Sequence, residues 1–168
     1  MMYQSPLEID DSPFMRRIVR VGATVPRIGL GIIFLWFGGL KLISGMSPAE
    51  DLAGRTLISL TFHLFPAAAL VQVLGGLECA IGICFLFGCA MRATLTVFFV
   101  HMAGTFMALI LCPSDCFGSG PLALTLIGQY VMKNIVLISA GVSLIPAALA
   151  DGRRAAEHTV NSIPEISE

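Results

Sequence analysis

Three ionisable residues stand inside long apolar stretches of the chain: Glu78, His101 and Lys133. A carboxylate, an imidazole and an ammonium held together can exchange protons, or hold the polar headgroup of a quinone. Each lies about eleven or twelve residues from the outer end of its apolar stretch, so at ~1.5 Å of helix rise per residue all three reach one level near mid-membrane. A lone charge at that depth costs at least ~2.5 to 3.5 kcal/mol. A Glu78–Lys133 pair, with His101 or Asn134 as hydrogen-bond partner, removes most of that cost. Gln129, four residues before Lys133 on the same helix face, and Gln72 can extend the network. Two readings stay open: a proton path or quinone site, and a buried polar lock that fixes helix register.

Lys41 falls near the outer end of the first apolar stretch, where its stem can run along apolar surface while the ammonium reaches headgroups. The alternative is a pair with Asp115, Glu50 or Glu78. Cys112 and Cys116 flank Pro-Ser-Asp in a turn-rich segment. Their spacing allows the Cα separation of roughly 4.4–6.8 Å that a disulfide needs. A structural bridge, two free thiols and a redox-active pair are all open, and the compartment weighs on the choice. The spacing is neither the redox Cys-x-x-Cys nor a zinc-ligand set, and no metal site is read. Cys79, Cys84 and Cys89 read as small packing residues. Phe34, Trp36 and Phe37 in the first stretch, and Phe98, Phe99 and Phe106 in the third, read as packing or lipid-facing aromatics. A quinone slot between those two helices is the sharper alternative.

The elements that must position these residues follow from composition. Of 168 residues 56% are hydrophobic and 12% charged, against roughly 25% charged in a soluble domain. The apolar residues fall in four blocks, each near the ~20 residues that cross a bilayer. The expected fold is therefore all-α: an integral membrane four-helix bundle with spans at about 21–44, 66–89, 93–111 and 122–149. Residues 1–20 form a polar and basic N-terminal segment, rich in turn formers up to about Phe14; the basic cluster Arg16, Arg17, Arg20 and Arg27 lies along headgroups as the amphipathic start of the first helix. Residues 21–149 form the transmembrane domain and 150–168 a polar tail, with Asp151-Gly152-Arg153-Arg154 closing the fourth span. The first block reads as a retained helix, since no small-residue cleavage pattern follows it. Ser47-Pro48-Ala49-Glu50-Asp51 reads as the start of a short interfacial helix between spans one and two. Met91-Arg92-Ala93 is a tight connection that makes spans two and three antiparallel neighbours. Residues 112–121 read as a loop.

Orientation follows from the basic residues. With the N-terminus inside, Arg16, Arg17, Arg20, Arg27, Arg92, Arg153 and Arg154 are cytoplasmic and only Lys41 and Arg55 face outward. Both termini are then cytoplasmic, and Cys112 and Cys116 face the external or periplasmic side. A net charge of −1 and the lack of a Lys/Arg run exclude nucleic acid as a partner.

Three segments carry a family likeness: Ile33-Phe34-Leu35-Trp36-Phe37-Gly38-Gly39-Leu40-Lys41, then Gly75-Gly76-Leu77-Glu78, then Gly128-Gln129-Tyr130-Val131-Met132-Lys133-Asn134. In these, across roughly Arg27 to Leu149, the chain resembles the DoxX-like superfamily of small four-helix membrane proteins. It is nearest to the YkgB-like branch of reactive-chlorine resistance membrane proteins. It departs from the family pattern at Asn134, where an acidic residue is usual, and in a shorter segment between spans one and two; the Cys112/Cys116 pair is no family mark. The resemblance implies a bacterial inner membrane location, with relatives associated with quinone-linked thiosulfate oxidation, oxidative-stress complexes and thiol maturation. The leading expectation is a non-catalytic accessory subunit of a larger respiratory or redox complex, with other membrane-protein subunits as partners and bound lipid. The alternative is a quinone- or thiol-linked oxidoreductase, with quinone the one cofactor considered. A small transporter or proton pathway comes third.

Overall fold

The computed structural model describes residues 13–43, 45–47, 50–120 and 122–161, and those residues are mostly helical, with no β-strand among them. In chain order the helices are α1 (Pro13–Leu42), α2 (Glu50–Leu60), α3 (Ala67–Phe87), α4 (Met91–Leu111), α5 (Pro113–Cys116) and α6 (Leu126–Asn161). Four contain segments long and apolar enough to cross a bilayer: Val21–Leu42, Ala67–Phe87, Met91–Leu111 and Leu126–Ala150. That is the make-up of a multi-pass membrane protein. Bulky apolar side chains such as Trp36, Phe37, Val73, Phe87, Val100 and Val136 point outward from these segments, as lipid contact requires.

Helix α1 begins at Pro13, so the basic cluster is the start of the same continuous helix as the first span, whereas the C-terminal end differs from expectation. There α6 runs through Asp151-Gly152-Arg153-Arg154 to Asn161; one glycine costs only ~1 kcal/mol in a helix, and Ala155 and Ala156 follow it. The expectations for residues 1–12 and 162–168 lie outside the described residues.

The spans pack as antiparallel neighbours. Glycines set the first pair: a Cβ on Gly82 would meet the Leu35 backbone nitrogen at 2.6 Å, and one on Gly38 the Cys79 nitrogen at 2.8 Å. Backbone therefore touches backbone along Gly31 and Gly38 of α1 and Gly75 and Gly82 of α3. Arg27 closes the lower end of this contact, donating to the terminal carbonyls of α3 at Phe85 (2.7 Å) and Leu86 (2.9 Å). Helix α3 stops at Gly88 (φ 70°), and the chain reverses through Ala90 (φ 43°) into α4. Phe85 and Phe98 then meet edge to face at 5.5 Å, and Gly141 of α6 lies under the Phe98 ring. Leu30, Phe34, Ile81, Phe85, Leu95, Phe98, Met102, Leu144 and Ala148 close around each other as the main apolar core.

The short helix expected between spans one and two is α2, and it is buried on two sides, at Leu52 and Thr56 on one and at Gly54 on the other. Its place follows from the α1–α3 register. Because Gly38 sits against Gly75 and Cys79, and Leu42 still reaches Gly75, α1 ends about two turns short of the start of α3. The first turns of α3 are covered instead by α2, with Gly54 packed against Ala67 and Val71. At this end Leu52, Ala108, Cys112, Cys116 and Val131 make a second core. The segment expected as a plain loop contains the single turn α5, and Thr125 then caps α6 by accepting from the Gly128 N–H at 3.1 Å.

Candidate functional site

Glu78 lies at the middle of α3, with both carboxylate oxygens engaged. Oε2 accepts from Lys41 Nζ at 2.6 Å, and Oε1 stands 3.3 Å from His101 Nε2. All three side chains are more than nine-tenths covered, with exposures of 9%, 8% and 5% for Lys41, Glu78 and His101. The site joins three helices. Phe34 packs edge-on against the His101 ring at 5.4 Å, so one wall of the cluster is aromatic.

Backbone direction explains why Lys41 and Glu78 meet. In an α-helix the side chains lean towards the N-terminus. Lys41, beside Gly75, leans down α1, and Glu78, one turn further along α3, leans up to meet it; antiparallel helices make these directions converge. The lysine stem crosses Gly75, where a Cβ would come within 2.9 Å of the Lys41 Cβ. A position at the C-terminal end of α1 also suits a cation electrostatically.

The charges are complementary: one ammonium faces one carboxylate, and the His101 ring stands beside the second carboxylate oxygen. Such a cluster can hold a proton at the carboxylate or the imidazole. It can also act purely as a tie, since the buried side-chain nitrogens and oxygens of the described residues all have partners.

The partner of Glu78 is therefore Lys41 and not Lys133. Lys133 is exposed on α6, with its ammonium 5.3 Å from the centre of the Tyr130 ring. Gln129 is exposed as well and donates to the Leu124 carbonyl at 3.4 Å, while Asn134 is half-buried. The physical reason is axial. Val131, on the other side of α6 from Lys133, is buried, whereas Lys133 is exposed although Leu144, eleven residues further along, shares its side of the helix. Helix α6 begins at Leu126, so Lys133 is only about 10 Å of rise into the helix. The snorkelling expected of Lys41 is not what the structure shows: the ammonium turns inward to Glu78 and the side chain is buried between α1 and α3. A usable signal was present: Gly38-x-x-Lys41 and Gly75-x-x-Glu78 repeat one spacing on two helices that touch through those glycines.

The cysteines form a second arrangement, at the α2 end. Cys112 and Cys116 are both free and buried. The Cys112 sulfur lies 3.8 Å from Thr56 Oγ1 of α2, and the Cys116 thiol donates to the Ala108 carbonyl at 3.7 Å. Burial pushes the Cys116 thiol above its ordinary pKa, and Cys112 and Asp115 add to the shift. Asp115 pairs with Arg55 of α2 at 3.2 Å, and its carbonyl accepts from Thr125 Oγ1 at 2.6 Å, so α5 is tied to both neighbours. Among the described residues no group of His, Cys, Asp or Glu is arranged to hold a metal ion.

Comparison with family models, curated proteins and solved structures finds no match to this chain.

Proposed function

We propose that the chain is a small accessory subunit of a larger respiratory or redox complex in a bacterial inner membrane, built as a four-helix bundle with both termini cytoplasmic. The observation that carries this reading is the closure of the Lys41–Glu78–His101 cluster: all three side chains are covered, and both oxygens of Glu78 face groups of the same chain. A group so enclosed ties three helices together and leaves the outer faces of the spans free for contact. The orientation rests on the excess of arginines in the segments assigned to the cytoplasm. Other membrane-protein subunits and bound lipid are the partners this reading implies, and the likeness to DoxX-like proteins points the same way.

The test is a native mass measurement after extraction in a mild detergent. The chain should run with other polypeptides, well above its own 17.9 kDa. Release as a lone chain under every mild condition would overturn the proposal.

The second reading, a quinone-linked oxidoreductase, draws on one observation: His101 and Glu78 are close enough to pass a proton, beside Phe34. It requires bound quinone in the purified protein, and a Glu78→Gln variant that loses quinone reduction while keeping its fold. A variant with unchanged reduction removes it. A thiol-linked form fails if Cys112→Ser/Cys116→Ser reduces quinone at the parent rate.

A further inference from the structure

We propose that the outward face of α6 around Lys133 docks a transmembrane helix of a different protein, one that presents an aspartate or glutamate at matching depth. The inference rests on the accessory-subunit reading and gives the partner its chemistry.

Lys133 lies inside the apolar segment Leu126–Ala150, and its side chain is exposed. The Tyr130 ring offsets part of the cost of a cation there, but a π-face is a weaker partner than a carboxylate in a dry environment. The surface beside it is shaped for a helix. Gln129, Lys133, Val136, Ala140, Ser143 and Ala147 follow in steps of four and three, which lines them up along one side of α6. Ala140 is half-buried and the other five are exposed. Small residues in the second half of this seam allow close backbone approach, and Ser143 bonds back to the Ala140 carbonyl at 2.7 Å, so it adds no unmet polar demand.

A second copy of this chain does not fit. Within the four candidate spans the sole acidic residue is Glu78, and both of its oxygens are taken by Lys41 and His101. Two α6 faces brought together would set Lys133 against Lys133. The carboxylate must come from another polypeptide.

The experiment places a photoreactive phenylalanine analogue at Val136 of the full chain in native membranes, with the same analogue at the exposed Val100 of α4 as the control face. We expect an adduct from position 136, at least tenfold above position 100, that maps to a transmembrane segment containing Asp or Glu. Lys133→Leu should lower that adduct at least tenfold while melting temperature and helicity stay at parent values. Lys133→Arg should keep most of it, and replacing the partner's carboxylate by its amide should reproduce the loss. An adduct with a second copy, with phospholipid alone, or with a segment lacking a carboxylate would overturn the proposal, as would a yield unchanged by Lys133→Leu. If the parent chain co-purifies with partners yet position 136 gives no adduct, this docking face is wrong and the accessory reading stands; if the chain has no partner in any mild detergent, both fall.

Discussion

Glu78 has two oxygens and two partners, so the side chains of Lys41, Glu78 and His101 depend on each other. Replacing Lys41 by Leu leaves a buried carboxylate without its cation, a change that costs about 3–5 kcal/mol where buried pairs are broken. We expect Lys41→Leu and Glu78→Leu each to lower the melting temperature in detergent markedly, and the double variant to melt above either single one. Simple addition of the two losses would show that the pair is not coupled. At the α2 end, the raised pKa of Cys116 sets a kinetic expectation. A raised thiol pKa means less thiolate at a given pH, and the thiolate is the nucleophile. Cys116 should therefore react with iodoacetamide at pH 8 at least tenfold more slowly than the exposed Cys89, with a rate still climbing at higher pH; peptide mapping over a time course reads this. Of the cluster, Glu78 and His101 were visible in the sequence because charge in an apolar run is conspicuous. Lys41 was visible only as an alternative partner, with Asp115 and Glu50 as its other candidates, because a lysine at the end of a run looks like an ordinary boundary residue.

The helices themselves were readable from hydropathy, since bilayer thickness sets a length that four apolar blocks match. Their relative heights were not, because depth counted along each helix assumes that all four share one boundary plane. The glycine contacts break that assumption by sliding α1 down against α3 until it ends about two turns short of the start of α3. This is where α2 acquires its role, filling against Ala67 and Val71 the space that a longer α1 would occupy. The contact can be tested by a matched pair of substitutions. In Gly82→Ala the new methyl would sit 2.6 Å from a backbone nitrogen of α1, and overpacking of this kind costs about 1–3 kcal/mol. In Gly76→Ala it would meet nothing within 4 Å. Gly82→Ala should lower the melting temperature clearly and Gly76→Ala should leave it level or raise it slightly. Equal effects would mean that the helix pair does not rely on close backbone approach.

For the molecule as a whole, antiparallel contacts put the start of α1, the Gly88–Ala90 turn and the end of α6 at one end, with α2 and α5 at the other. The proposed orientation makes a direct expectation for a membrane-impermeant maleimide on intact cells. A Ser119→Cys variant should label from outside, whereas the native Cys89 should label only after permeabilisation; the reverse pattern would invert the topology. The same geometry bears on how the protein is made. Lys41 leaves the ribosome 37 residues ahead of Glu78, and Arg27 58 residues ahead of the Phe85 carbonyl that receives it. The first hydrophobic segment thus enters the insertion machinery carrying two cations whose acceptors have not yet been synthesised. It is poorly suited to release into lipid by itself, and the stage that can be released is the hairpin-like pair of α1 and α3, closed along its glycines and neutralised at both ends.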